Sequence, residues 1–170
     1  MSWGSYGLDL RLLRGWVLAA TGAWDEVLVE SSGAAFAPTE PGRVLATQAV
    51  AVLVARGDPG AEALLTRLRG TGDTYAEVQL DLCEIDLRLA QRQFDRALAV
   101  AAACAEKVST PGWGMERLLL AARHAAVHAE IAAAAIGGSG PSSGRTAAAA
   151  AAAAAAVSYT HLTLPTNREV

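Results

Sequence analysis

Lysine is almost missing from this chain: Lys107 stands alone against 13 arginines. Arginine, alanine and glycine have GC-rich codons and lysine does not, so the bias points to GC-rich coding DNA. Aromatic residues make up only 5% of the chain and β-branched residues are sparse, which argues against a β-sandwich or barrel. Two cysteines, Cys83 and Cys104, cannot build a disulfide framework, so a reducing compartment is expected. The opening MSWGSYGLDLRLLRGW has no basic segment ahead of an apolar run, so no secretory signal is expected. The apolar stretches 15–24 and 44–55 are shorter than the ~18 residues a membrane helix needs. The longest uncharged run, 146–167, is mostly alanine and small polar residues and is not read as a span. A net charge of −3 argues against a chain whose task is to hold nucleic acid. These absences predict a cytoplasmic protein with no membrane partner and no direct nucleic-acid contact.

What is abundant is alanine, 39 of 170 residues, set in helical periodicity. Leu8, Leu12, Leu13 and Trp16 recur at helical spacing near the N-terminus. Asp58-Pro59 and Thr110-Pro111 each read as an N-cap followed by proline at the first helical position. Thr74 and Glu77 fit a capping box, and Glu84–Arg88 is a favourable pair one turn apart. The predicted helices are 6–21, 24–32, 42–56, 59–69, 74–91, 94–108 and 112–136, an all-α chain of about seven helices. The last of these has no paired partner, which leaves Leu118, Leu119 and Ala122 underpacked.

Three segments align on a turn between two helical runs: LRGWVLAATGAWDEVL, AVAVLVARGDPGAEALL and EIDLRLAQRQFDRALAV. Gly22, Gly57 and Arg92 take the same place, 35 residues apart each time. After the turn, Trp24-Asp25-Glu26-Val27-Leu28 matches Phe94-Asp95-Arg96-Ala97-Leu98. The middle copy has Pro59-Gly60 where the aromatic should stand, and aligns with one residue inserted before Ala63-Leu64.

Residues 8–107 thus resemble tetratricopeptide repeats, whose ~34-residue unit is a pair of antiparallel helices. The resemblance implies a short right-handed solenoid of antiparallel hairpins. In that family a small residue in the first helix lets the pair pack closely; Gly15 fits that place, whereas Val50 and Ile85 do not. Trp24 and Phe94 are then expected as buried anchors, with Gly15, Gly22, Gly57 and Ala97 as further structural positions. More narrowly, WVLAATGAWDEVL followed by ARGDPGAEALL resembles the helical-repeat region of large LuxR-type transcriptional regulators of high-GC bacteria. That implies a sensory or coupling region lying between an ATPase module and a DNA-binding helix-turn-helix, neither of which is in this chain.

Candidate chemistry is thin. His124 and His128 share a helix face and such a pair can bind Zn²⁺, but Ala125 stands where a catalytic glutamate would follow the first histidine. Asp81 and Glu84 share a face while Asp86 points elsewhere, and they read as a solvated acidic face rather than an acid–base pair. SGPSSGRT at 139–146 lacks the first glycine, the lysine and the preceding strand of a phosphate loop. RGTGD at 69–73 reads as an inter-repeat turn. Cys83 and Cys104 read as small buried thiols. No Ser, His and Asp combination shows triad logic.

Residues 137–156 form a low-complexity linker that ends in ten alanines. The tail 157–170, VSYTHLTLPTNREV, breaks in composition from all that precedes it. It resembles the translation of a transposon-end sequencing adapter, in which GTC TCT TAT ACA CAT CTG ACG CTG CCG ACG encodes Val157 to Thr166. The resemblance implies that 157–170 is not native and that the natural reading frame continues elsewhere.

The expectation is a helical-repeat domain over 1–136, non-catalytic, with no cofactor and no metal. It would contact a protein or small-molecule effector. A groove lined by the first helix of each hairpin would present Asp9, Trp16, Gln79 and Asp86. The alternatives are a small metal-binding helical enzyme using His124 and His128, and an orphan helical protein without a sensing role.

Overall fold

The computed structural model describes residues 3–32, 40–70 and 72–135; the expectations for 137–156 and 157–170 lie outside them. Seven helices and no strand occur among the described residues: α1 (Trp3–Ala20), α2 (Trp24–Ser32), α3 (Glu40–Arg56), α4 (Ala61–Leu68), α5 (Thr74–Ala90), α6 (Phe94–Lys107) and α7 (Gly114–Ala135). Each lies where a helix is predicted. Two begin later than the prolines suggested. Asp58 Oδ1 accepts a hydrogen bond from Gly60 N at 2.7 Å, which holds Asp58-Pro59-Gly60 as a turn ahead of α4. Gly112, at φ +104°, keeps the Pro111-Gly112 turn outside α7.

The helix ends repeat more faithfully than the helix surfaces. Gly22, Gly57 and Arg92 all adopt left-handed backbone, at φ +82°, +68° and +58°. Gly22 N donates to Ala19 O and Ala23 N to Leu18 O; Gly57 N donates to Val54 O and Asp58 N to Leu53 O. These pairs are the 5→2 and 6→1 bonds of a Schellman end, which satisfy helix carbonyls that otherwise lack partners. Arg92 N makes the corresponding bond to Leu89 O at 2.9 Å.

The chain divides into two compact units, Met1–Arg92 and Gln93–Val170, at the turn that Arg92 makes. In the first, α3 is the hub and packs against α1, α2, α4 and α5. Its core joins Ala46, Val50 and Val54 of α3 to Ala61, Leu65 and Leu68 of α4 and to Leu80, Cys83 and Leu87 of α5. Val50, expected to be too large for close packing, is completely buried there. In the second unit α6 packs on α7, and Ala97, Ala101, Cys104, Leu120 and Val127 are buried. Arg117 of α7 donates to the carbonyls of Val108 and Ser109, at 2.7 and 3.0 Å, and to that of Thr110, closing the end of α6.

The buried faces of α4 and α6 match at a different offset from the preceding turn than the sequence alignment gives. The buried set of α6 is Ala97, Ala101 and Cys104, and that of α4 is Ala61, Leu65 and Leu68, with the same spacing. Ala61 therefore takes the place of Ala97, whereas Ala63 is exposed. Counted from the left-handed residues Gly57 and Arg92, Ala61 comes one residue sooner than Ala97, with the Asp58 turn standing in place of the aromatic lead-in.

Trp24 and Phe94 are half-buried rather than buried anchors. Trp24 Nε1 donates to Ala19 O at 3.1 Å, tying α2 back to the end of α1. The Arg56 guanidinium lies over the Trp24 ring, 5.6 Å from its centroid, while bonding Asp25 at 2.8 Å.

Candidate functional site

A close approach of α1 to α3 places the groove. Gly15 of α1 is buried against Gln48 of α3: a Cβ built there would lie 1.9 Å from Oε1. Without a side chain at 15, α1 settles onto α3, and Gln48 Nε2 donates to Leu12 O at 2.9 Å across the junction. Gln48 is 7% exposed, and among the described residues its Oε1 accepts no hydrogen bond.

On α5, Cys83 Sγ lies 4.0 Å from the Thr47 carbonyl, which sets α5 against the other side of α3. Asp73 is the N-cap of α5 and accepts from Tyr75 N and Ala76 N at 2.9 and 3.2 Å. The cap is therefore Asp73 and not Thr74, and it starts the helix so that Tyr75 and Gln79, one turn apart, share a face.

The three helices that precede the turns, α1, α3 and α5, thus enclose a cavity of about 120 Å³. Trp16, Gln48, Tyr75 and Gln79 line it, over a mainly apolar floor that includes Val44 and Ala51. Trp16 is 48% exposed and forms an accessible wall. Of the four predicted groove residues, Trp16 and Gln79 come together here. Asp86 lies two turns further along α5, away from this wall, and the side chain of Asp9 lies outside the described residues. Gln48 and Tyr75 were missed. The signal for Gln48 was present: a lone amide inside the apolar run of α3, which a helix buries only for a purpose.

The volume limits what the cavity accepts. Ligand pockets for small molecules hold roughly 300–1,000 Å³; this one takes a single apolar or aromatic side chain. Aromatic and amide walls around such a hole suit the anchor residue of a peptide segment.

The acidic face of α5 is not solvated as expected. Asp81 is buried, and Arg69 reaches Glu77, Asp81 and Glu84 at 3.1, 2.7 and 2.6 Å. Arg88 adds Glu84 at 3.1 Å, as the i, i+4 spacing predicts, and Glu62 at 2.8 Å. Burial works to lower the pKa of Arg69, but hydrogen bonds to Asp81 and Glu84 and their charges outweigh it and hold the guanidinium above its ordinary value. Glu77, expected to complete a capping box, instead accepts from Gly70 N at 2.7 Å. The cluster clasps the α4–α5 turn and is structural, with every carboxylate committed to a cation.

His124 and His128 lie exposed on α7, with Nε2 atoms 3.4 Å apart. Among the described residues, no group of three His, Cys, Asp or Glu stands ready to hold a metal. Cys83 and Cys104 form no disulfide and are both buried. No helix among the described residues is long and apolar enough to cross a membrane. No family model, curated protein or solved structure matches the chain.

Proposed function

We propose that this chain is a non-catalytic helical-repeat scaffold that captures one anchor side chain of a partner protein in the α1–α3–α5 groove. The observation that carries the reading is the convergence of Trp16, Gln48, Tyr75 and Gln79 from three successive repeat-leading helices on one side-chain-sized cavity. A right-handed solenoid of antiparallel hairpins, similar to tetratricopeptide repeats, is the proposed architecture. The recurrence of left-handed residues at 22, 57 and 92 supports it, as does the packing of α3 on both α1 and α5. By resemblance, the scaffold is part of the sensory or coupling region of a LuxR-type regulator, acting in the cytoplasm. A peptide partner is favoured over a small effector because the cavity is smaller than a small-molecule site.

The test is selection of peptides from a random display library against the full chain, followed by titration of the best binder. Trp16→Ala and Gln79→Ala should each weaken binding tenfold or more while leaving the unfolding midpoint within a few degrees, since Trp16 is 48% exposed. Selected peptides that bind both variants as tightly as the parent chain would place the interaction elsewhere.

A further inference from the structure

We propose that His124 and His128 form a two-imidazole chelate for a borderline divalent cation of the Zn²⁺ class on the surface of α7. Residues four apart on a helix stack one above the other, so the two rings are brought together by the backbone itself. Here they meet edge to face, with centroids 4.5 Å apart and an interplanar angle of 79°. The atoms that face each other are the two Nε2 nitrogens, at 3.4 Å. Zinc binds imidazole nitrogen at about 2.0–2.1 Å in tetrahedral geometry, which puts two ligand nitrogens about 3.3–3.4 Å apart. The two nitrogens therefore already stand at chelating separation.

The 3.4 Å Nε2–Nε2 contact is a hydrogen bond when one ring carries its proton on Nε2 and the other carries its proton on Nδ1. When a cation binds, the Nε2–H ring moves that proton to its own Nδ1 through solvent, so each neutral ring keeps one proton on Nδ1 and each Nε2 lone pair makes one dative bond. No redox change is involved. Because no third His, Cys, Asp or Glu completes the set among the described residues, the remaining coordination positions go to water or to an incoming donor. His124 also lines a second cavity, of about 540 Å³, between α6 and α7, whose other walls include Leu98, Ala101, Leu120 and Ala121. A cation held by the pair thus lies beside an apolar cavity of small-molecule size, with coordination positions open.

The experiment is a titration of the full chain, stripped of metal by a chelator, with ZnCl₂ in a calorimeter. The parent chain and the single variants His124→Ala, His128→Ala and His161→Ala are compared. The parent chain and His161→Ala should each bind one equivalent. His124→Ala and His128→Ala should bind at least tenfold more weakly, because each converts a chelate into a single ligand. Both histidines are exposed and alanine favours helix, so these variants fold. Amide exchange in α7 provides a second readout, since a bridge between 124 and 128 should slow it when Zn²⁺ is added. Equal affinity for the parent chain, His124→Ala and His128→Ala, or loss of binding in His161→Ala alone, overturns the proposal.

Discussion

Gly15 and Gln48 touch so closely that a single methyl group at 15 would overlap the Gln48 amide, 1.9 Å from its oxygen. Inside a helix, Gly→Ala ordinarily stabilises by about 0.8–1 kcal/mol. Here the gain is opposed, because a displaced Gln48 loses its bond to Leu12 O and stays buried. Gly15→Ala should therefore lower stability by about 1 kcal/mol, in the range of a mild overpacking. In a Gln48→Ala background the same change should raise it. Chemical denaturation of the four chains reads the sign reversal, and parallel effects in both backgrounds would mean that α1 and α3 do not meet at this point.

The turns give opposite predictions for residues in equivalent places. A non-glycine residue in left-handed backbone costs on the order of 1–2 kcal/mol. Arg92→Gly should raise stability by about 0.5–1 kcal/mol after the extra freedom of the unfolded glycine is counted, read as a higher thermal midpoint. Gly22→Ala and Gly57→Ala, at φ +82° and +68°, should each lower stability by about 1 kcal/mol. A loss of stability in Arg92→Gly would show that the arginine side chain outweighs its backbone strain.

Helix number and position were legible because alanine-rich helical periodicity is punctuated by glycine and proline at regular intervals. The 35-residue recurrence was legible for a related reason, since a left-handed helix end leaves a mark at one position. What failed was anything decided by a neighbouring helix. Asp81 and Glu84 read as a solvated face because their partner Arg69 lies outside α5, twelve residues before Asp81 in the α4–α5 turn. Trp24 reads as a buried anchor from its place two residues past the turn, which does not show how much of the ring the neighbouring helices leave uncovered; it is half-buried. Trp16 and Gln79, expected as groove contacts, both line the cavity between α1, α3 and α5. Gln48 and Tyr75 were not expected, because the contact at Gly15 and the cap at Asp73 set their placement.

The Arg69 clasp should be costly to break. Arg69→Met leaves the buried Asp81 carboxylate without its 2.7 Å partner, and loss of one member of a buried pair costs about 3 kcal/mol or more. Adding Asp81→Asn should recover part of that loss. A raised cation pKa contributes stability that is fully present below the ordinary arginine value and is lost only as pH rises through the higher folded value. Titration to about pH 10, where lysine rather than arginine begins to lose its proton, should leave the Arg69 contribution intact. Urea denaturation of the single and double variants at both pH values checks the two statements together.

Trp24→Ala should cost about 2 kcal/mol, less than the ~3–5 kcal/mol of a fully buried aromatic, because Trp24 is only half-buried. A thermal melt of the variant measures this. A loss above about 4 kcal/mol would require the ring to be enclosed.

Cys83 and Cys104 should resist thiol reagents in the folded chain, being buried at 6% and 0% exposure. Labelling should follow global unfolding, with both thiols reacting in denaturant and neither reacting rapidly in buffer. Fast native labelling of Cys83 would mean that the groove beside it opens.

The groove is tested most directly by backbone amide NMR during titration with a library-selected peptide. The largest shift changes should fall on α1, α3 and α5 around Trp16, Gln48, Tyr75 and Gln79, and should vanish in Trp16→Ala. Changes confined to α2 or α4, or equal in the parent chain and Trp16→Ala, would contradict a binding site between α1, α3 and α5.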